Sequence, residues 1–264
     1  MTTGRAPDDV AHAEPAYADL AQVYEWLVPD NLLDPRDCAS AFAAAVELIP
    51  TGGRVMDCAS GGGHLAVGLA RRGFTVAATD ASPAMITRTR QLAADHDVSL
   101  TTAVRTWDEL PAPQAAGPFD AVFCVGNSIS HAAGRQPRRT ALASMTRLLA
   151  TDGVFAVAAR DWQQVRAGGD RVEVHDRLVR RRGRAGVVVR AWSVGATWDD
   201  AHHLDLAVAL LADDDTVTTY RERLTLWAFS HDQLVADLDA VGLDIVCSTR
   251  FLGPGEYLIV ARRR

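Results

Sequence analysis

The sequence lacks paired cysteines. Cys38, Cys58, Cys124 and Cys247 are far apart, and no two of them form a CxxC pair. Such spacing is typical of reduced, buried thiols and argues against a disulfide framework or a cysteine-based metal site. We therefore predict a cytoplasmic protein that holds no metal ion.

Long apolar runs and an excess of positive charge are also missing. The leader MTTGRAPDDVAHAEP has no apolar core of the kind that a signal peptide needs, and no later segment has the length and apolarity of a membrane span. With 27 basic and 33 acidic side chains, the formal net charge is -6. We expect no membrane role and no nucleic-acid partner, since overall charge gives no attraction to a polyanion.

The composition that remains is that of an ordinary globular protein. Hydrophobic residues make up 48% and charged residues 23% of the 264 positions. A chain of this length can bury a full core and corresponds to one large domain or to a domain with an inserted lobe.

Strand-like and helix-like segments alternate from Arg54 onward. Strands are predicted at 54–59, 74–80, 100–104, 119–125 and 154–159, with helices at 65–72, 82–94 and 138–149. This alternation predicts an α/β fold, namely a doubly wound, Rossmann-like parallel sheet covered on both faces. Two further helices, at 17–27 and 39–49, are predicted before it.

The pattern changes to a two-residue alternation near Arg171, which predicts an antiparallel meander over 171–180, 186–194, 202–211 and 216–227. A helix at 231–242 and strands at 244–250 and 256–263 then return to the main sheet. The predicted domains are an N-terminal helical cap over the active site (1–50), a cofactor-binding core (51–165), an inserted antiparallel β lid (166–228) and a C-terminal helix with strands that complete the core (229–264).

The turn after the first strand contains Gly61, Gly62 and Gly63. Because these glycines have no Cβ atoms, a ligand can lie against their backbone and the N-terminus of the following helix. Asp80 ends the second strand, 17 residues after Gly63, where a carboxylate can accept both hydroxyl hydrogens of a ribose. A tight turn with Asp80 capping the next helix is the alternative, but the joint spacing favours an adenosine cofactor.

The identity of that cofactor depends on Asp57. Gly61, Gly63 and Ala66 also satisfy the GxGxx[GA] pattern of a dinucleotide-binding dehydrogenase. A carboxylate at Asp57, just before the turn, would repel a pyrophosphate but suits the ammonium and sulfonium charges of S-adenosylmethionine. We therefore favour the methyl donor.

The segments VMDCASGGG, TVAATDASPAM and FDAVFCVGNSISH resemble class I S-adenosylmethionine-dependent methyltransferases. Within that superfamily, FCVGNSISH, AYADLAQVYEWLVPD and VAARDW are similar to the glycine N-methyltransferase group of small-molecule enzymes. The resemblance extends over nearly the whole chain. It implies a methyltransferase with S-adenosylmethionine as cofactor and S-adenosylhomocysteine as product.

The same resemblance implies a set of cofactor-binding residues. Asp57 and the glycine turn would hold the methionine part, and Asp80 the ribose. Thr106 and Trp107 would frame the adenine, and Ala59 stands where the family's first motif glycine often lies. The implied set is Tyr17, Arg36, Asp57, Ala59, Gly61, Asp80, Ala81, Met85, Thr106, Trp107, Val125 and Gly126.

The resemblance also implies acceptor-site residues. Tyr17 matches a tyrosine near the transferring methyl, while Asn127 and Arg160 match residues that hold an amino-acid carboxylate. An arginine fork suits this task because it donates two parallel hydrogen bonds. Pairing of Arg160 with Asp161, and of Asn127 with its own turn, is the ordinary alternative. The implied substrate-binding set is Tyr24, Asn127, Arg160 and Trp192, and the catalytic candidates are Tyr17 and His131.

Three positions depart from the family pattern: Leu27, Trp192 and Glu173 stand where aromatic residues close a small acceptor pocket. A wider apolar wall and a negative charge predict an acceptor larger or more cationic than glycine. His131 is a candidate for accepting a proton through water, although a lone histidine at a loop is more often a cap or a surface residue.

The predicted partner is a small-molecule acceptor, with the amine nitrogen of an amino acid or amino-acid-like metabolite ranked first. The alternatives are an O- or C-methyltransferase of a natural product, an NAD-dependent oxidoreductase, and a methyltransferase-like binding protein. A homo-oligomer stays open. The arginines at 180, 181, 182 and 184 are interpreted as the solvated tip of a hairpin.

Overall fold

The computed structural model describes residue 17 and residues 19–111, 117–212, 214–253 and 255–264. The first 16 residues of the predicted N-terminal cap lie outside this part of the chain. The α helices are α1 (Tyr24–Leu27), α2 (Pro35–Ala41), α3 (Ala43–Val46), α4 (His64–Arg71), α5 (Pro83–Asp95), α6 (Arg135–Thr146), α7 (Trp162–Ala167) and α8 (His231–Ala240). Short 3-10 helices lie at Leu20–Val23, Asp30–Leu32 and Ser128–His131.

The strands form two sheets. Their bounds are β1 (Arg54–Asp57), β2 (Thr75–Asp80), β3 (Thr101–Val104), β4 (Phe119–Cys124), β5 (Leu149–Arg160), β6 (Arg171–Val174), β7 (Val179–Arg181), β8 (Arg184–Ser193), β9 (Ala201–Leu211), β10 (Val217–Trp227), β11 (Leu243–Arg250) and β12 (Glu256–Arg263). Among the described residues, the central sheet has the order β11-β12-β5-β4-β1-β2-β3. The predicted α/β fold is confirmed.

The central sheet is parallel except for β12, which pairs antiparallel with both β5 and β11. Only a short loop joins β11 to β12, and such a loop allows only an antiparallel pair, whereas a parallel pair needs a long crossover. Alternate residues of β4 face two separate cores: Val122 and Cys124 pack with one, Ala121 and Phe123 with the other. The sheet is therefore buried on both faces, as its apolar strands predict.

The second sheet, here called the lid sheet, has the order β10-β9-β8-β6, with β7 also paired to β8. Along β9, every second side chain is buried, from His202 to Leu210, so one face of the lid sheet covers the core. The strand predicted at 171–180 is divided into β6 and β7. Val174 lies opposite Val189 and Val179 opposite Gly186, so the intervening segment carries extra residues and leaves the ladder.

The N-terminal helices are shorter than the sequence predicts. The segment 17–27 forms a 3-10 turn followed by α1, and the helix predicted at 39–49 is divided into α2 and α3. Helix α2 starts earlier than predicted because the Asp34 side chain accepts the Arg36 N–H and Pro35 occupies the first helical position. The break falls at Phe42, whose ring packs 4.7 Å from that of Phe251.

Helix α6 also begins earlier than predicted, at Arg135, and β5 is longer than predicted. None of the helices in the described ranges has both the length and the apolarity to cross a membrane. Over the same ranges, no three His, Cys, Asp or Glu side chains are grouped as metal ligands would be.

Candidate cofactor and acceptor site

Two cavities open at the carboxyl edge of the central sheet, which is where parallel α/β sheets bind ligands. The first cavity has a volume of about 430 Å³ and the second about 540 Å³. Both are lined by Tyr17, Ala59, Asp80 and Ser128. The predicted residues Tyr24, Asp57, Gly61, Met85, Val125, Gly126 and Arg160 line the first cavity only, and Ala81, Thr106, Trp107 and His131 the second only.

Asp80 organises the glycine turn. Its Oδ2 accepts the Gly61 N–H at 2.9 Å, and its Oδ1 accepts the Ser82 N–H at 2.9 Å. Gly61 has φ +50°, a conformation that favours glycine. Each carboxylate oxygen keeps a further lone pair for a ligand hydroxyl. The turn-stabilising and ribose-binding interpretations of Asp80 are therefore compatible.

Asp57 is a buried carboxylate in the wall of the first cavity. It is only 1% exposed, and burial raises its pKa to about 7, with Asp80 adding to the rise and the Ala59 N–H opposing it. A cation placed in the cavity would compensate for the lost hydration of this carboxylate. The ammonium and sulfonium groups of S-adenosylmethionine fit that requirement, and a pyrophosphate does not.

The second cavity offers a flat aromatic wall. The Trp107 indole N–H donates to the carbonyl of Cys58 at 3.0 Å, which fixes the ring beside the end of β1. Thr106 donates its backbone N–H and its hydroxyl to the Glu109 carboxylate, so the turn after β3 is held in shape. A ring of this kind suits an adenine, and that role for Trp107 stays a prediction.

Tyr17 lies between the two cavities. Its ring centroid is 5.7 Å from that of Tyr24 and 6.0 Å from that of His131. Burial raises the pKa of Tyr17 to about 12, so its hydroxyl is neutral at physiological pH. The backbone N–H of Tyr17 donates to the Glu222 carboxylate of β10, and that of Leu20 does so at 3.4 Å. Glu222 thus ties the N-terminal segment to the lid sheet.

Glu222 is not among the site residues predicted from the sequence, and it is a positioning residue for Tyr17. Glu222→Ala leaves two backbone N–H groups without this acceptor, and we expect kcat/KM for methyl transfer to fall about tenfold. Glu222→Gln keeps one acceptor oxygen and should restore part of that loss. Arg221→Ala, at an exposed neighbouring position, is the matched control. Equal loss in all three variants would contradict the positioning role.

His131 is a neutral imidazole in this structure. Burial lowers its pKa to about 4. It lines the second cavity, whereas Arg160 lines only the first. His131 is therefore a weak base on the side of the predicted adenine site.

The acceptor end of the first cavity is charged. Arg160 at the end of β5, Glu173 on β6, Arg190 on β8 and Glu256 on β12 all line it. Arg160 Nη1 lies 3.9 Å from Glu256 Oε1. Arg190 and Glu256 were not predicted; the only sequence signal is a charged residue within each apolar strand, which does not show where the strand lies.

Two predicted substrate-binding residues, Asn127 and Trp192, contact Arg160. Asn127 Oδ1 accepts the Ser130 hydroxyl at 2.8 Å and the Arg160 backbone N–H at 3.0 Å. Trp192 is 3% exposed, and the Arg160 guanidinium carbon lies 5.5 Å from its ring centroid. Neither residue lines either of the two cavities described above. Their contacts place Arg160, and direct contact with an acceptor stays a prediction for both.

Arg36 is exposed and lines neither cavity, because α2 buries Pro35 and Cys38 on its other side. Tyr24 lines the first cavity and packs on the glycine turn: a Cβ added at Gly61 would lie 3.0 Å from the Tyr24 hydroxyl. The predicted binding roles of Arg36 and Tyr24 stay predictions.

The arginine-rich hairpin tip is not simply solvated. Arg181 donates to the backbone carbonyls of Glu25 at 2.9 Å and Val28 at 3.2 Å. Arg182 pairs with the Glu25 carboxylate at 2.6 Å. The interpretation of a solvated tip is therefore wrong for Arg181, whose side chain is 12% exposed. Arg182 is 65% exposed, as that interpretation expects, although it also pairs with Glu25.

Residues 55–153 match a family model described as a methyltransferase domain. Over these residues the chain carries a methyltransferase domain. The sequence-based prediction of this family is confirmed. The buried Asp57, the glycine turn and Asp80 all lie within the matched residues of the methyltransferase domain.

The chain is similar to curated methyltransferases over part of its length. A glycine/sarcosine N-methyltransferase of Parasynechococcus marenigrum is 35% identical over 118 residues, which cover 45% of this chain and 42% of that protein. The human glycine N-methyltransferase is 29% identical over 128 residues, covering 44% and 43%. The chain thus spans less than half the length of these relatives.

Solved structures show the same fold over nearly the whole chain. CalS10, an amino pentose methyltransferase from Micromonospora echinaspora solved with S-adenosylmethionine bound, has a TM-score of 0.73 at 20% identity and covers 92% of this chain and 95% of its own. The sugar N-methyltransferase KedS8 from Streptoalloteichus has a TM-score of 0.72 at 20% identity, covering 100% and 99%.

Proposed function

We propose that this chain transfers the methyl group of S-adenosylmethionine to the amine nitrogen of a small amino acid or amino-acid-like metabolite. One observation carries the proposal: Asp57 and Arg160 line the same cavity. A buried carboxylate suits the cationic cofactor, and a guanidinium suits the carboxylate of an acceptor. Tyr17, which lines both cavities, lies where the two ligands would meet.

The chain's residues mainly position the reactants. When bound, the cofactor supplies a methyl group activated by a sulfonium. In a transfer to an amine, the nitrogen lone pair would form the N–C bond as the C–S bond breaks and its electron pair goes to sulfur, and the methylated ammonium would then lose a proton to water. The apolar cavity wall, including Leu204 and Leu206, disfavours a charged ammonium and so favours the neutral amine that attacks. The neutral Tyr17 hydroxyl can orient that amine.

Nitrogen is favoured over oxygen on two grounds. A hydroxyl acceptor needs a base more urgently than an amine does, and burial lowers the pKa of His131 to about 4, which makes it a poor base. The named relatives glycine/sarcosine N-methyltransferase and KedS8 also act on nitrogen. They support the nitrogen proposal without identifying the acceptor.

The acceptor is larger than glycine. Leu27 and Glu173 line the first cavity, which has a volume of about 430 Å³. This cavity leaves room for a side chain as well as for the methionine part of the cofactor.

The test is methyl transfer from labelled S-adenosylmethionine to a panel of amino acids, amino sugars and phenols. We expect labelled product from amines with a side chain and little from glycine or phenols. Strong preference for glycine would contradict the size argument, and preference for phenols would contradict nitrogen. Binding of the cofactor should first be shown by a thermal shift, so that an inactive panel is not mistaken for unfolded protein.

A further inference from the structure

Two guanidinium groups and two carboxylates from four different strands line the acceptor end of the first cavity. They belong to Arg160 of β5, Glu173 of β6, Arg190 of β8 and Glu256 of β12. The Arg160 and Glu256 side chains are 31% and 28% exposed, with 3.9 Å between Nη1 and Oε1. This separation is long for a salt bridge, so the Arg160 fork keeps donors for a ligand.

The charged groups next to Arg190 do not neutralise its guanidinium. Glu173 is paired with Arg190 in the register of the neighbouring strands β6 and β8. The Glu173 carboxylate, however, forms a salt bridge with Arg171 at 2.7 Å. Arg190 also contacts His175 at 2.7 Å, and burial, with the charge of Arg190, lowers the pKa of that histidine. With Glu173 paired to Arg171 and Glu256 facing Arg160, one positive charge remains in excess. Burial and the charge of Arg160 lower the pKa of Arg190.

We propose that Arg190 supplies a second guanidinium to the acceptor carboxylate that the proposed function assigns to Arg160, and that Glu256 is a positioning residue that holds Arg160. This inference rests on the proposed N-methyl transfer. An amine that attacks must be neutral, so an amino acid bound for reaction carries one net negative charge. That charge matches the excess positive charge of the Arg160, Arg190 and Glu256 group.

The two arginines belong to different parts of the fold. Arg160 ends a strand of the central sheet, whereas Arg190 lies in the lid sheet. A carboxylate held by both would join the lid sheet to the core while the amine is placed near Tyr17. The acceptor class that follows is a carboxylate-bearing amine, in contrast to the amino sugars, which carry no carboxylate, that the names of the structural neighbours CalS10 and KedS8 suggest.

The experiment compares L-amino acids with their carboxamides and with glucosamine as acceptors of labelled methyl. For the wild-type protein we expect transfer to an amino acid and at least tenfold less to its amide. Arg190→Met should lower kcat/KM for the amino acid by about 10- to 100-fold, mostly through KM, and should leave the poor rate with the amide unchanged. Arg190→Lys keeps the charge but not the fork and should lie between.

Two further variants complete the test. Arg184→Met changes an exposed arginine of the same strand that lines neither cavity and should match the wild type. Glu256→Gln should raise KM for the amino acid and keep S-adenosylmethionine affinity, measured by calorimetry.

The outcomes separate the two proposals. Equal use of the acid and the amide, preference for glucosamine, or an unchanged KM in Arg190→Met overturns the carboxylate site and leaves N-methyl transfer standing. Cofactor binding with no transfer to any amine overturns both.

Discussion

Asp80→Ala is expected to weaken S-adenosylmethionine binding by about 100-fold or more. Each Asp80 oxygen already accepts one backbone N–H, from Gly61 and from Ser82, so the substitution removes the ribose acceptors and releases the glycine turn at once. Loss of two charge-assisted hydrogen bonds accounts for an effect of this size. Calorimetric titration of the cofactor measures it directly.

Two variants and one simpler ligand make the Asp80 result specific. Asp80→Asn keeps one acceptor oxygen and should give an intermediate affinity. Asp95→Asn, at an exposed position near the end of α5, should match the wild type. Adenosine, which has the ribose without the amino acid, should lose affinity in Asp80→Ala as the full cofactor does. Undiminished adenosine binding would show that Asp80 does not hold the ribose.

The second large effect is a pH dependence of S-adenosylmethionine affinity that is caused by the titration of Asp57. Because burial raises the pKa of Asp57 to about 7, the free protein loses this negative charge as the pH falls below that value. A neutral carboxyl no longer attracts the ammonium and sulfonium, so S-adenosylmethionine affinity should fall roughly tenfold between about pH 7.5 and about pH 6. Asp57→Asn should bind weakly at both pH values and show little change between them.

Adenosine is again the control, since it carries neither cationic group. Its affinity should be independent of pH in this range and nearly unchanged by Asp57→Asn. The Asp57 and Asp80 variants therefore have opposite signatures with the simpler ligand. If Asp57→Asn kept the wild-type pH dependence for the cofactor, the cation-binding role of Asp57 would be wrong.

That Asp57, Gly61 and Asp80 line one cavity could be predicted because these residues are close in sequence. Asp57, the glycine turn and Asp80 belong to one βαβ unit, whose geometry brings the ends of β1 and β2 together. The same spacing also permits a dinucleotide, and only the charge of Asp57 favoured S-adenosylmethionine over it. The alternating strand and helix patterns likewise fixed the fold class, although the parallel pattern did not show that β12 runs antiparallel.

The acceptor half could not be predicted to the same depth. Glu256 meets Arg160 through the pairing of β12 with β5, whereas Arg190 lines the same cavity from a strand of the lid sheet. Glu222 reaches Tyr17 across about 200 positions. A strand register of this kind depends on turn geometry and packing that the alternation pattern does not specify. For the same reason the contacts of Asn127 and Trp192 with Arg160 could not be predicted.

The most direct test of the central claim is a crystal structure of the protein with S-adenosylhomocysteine. The account predicts the amino-acid part beside Asp57, both ribose hydroxyls within hydrogen-bond distance of Asp80, and the adenine against Trp107. An empty crevice at these residues, or a pyrophosphate-containing ligand preferred there in a competition soak, would contradict it.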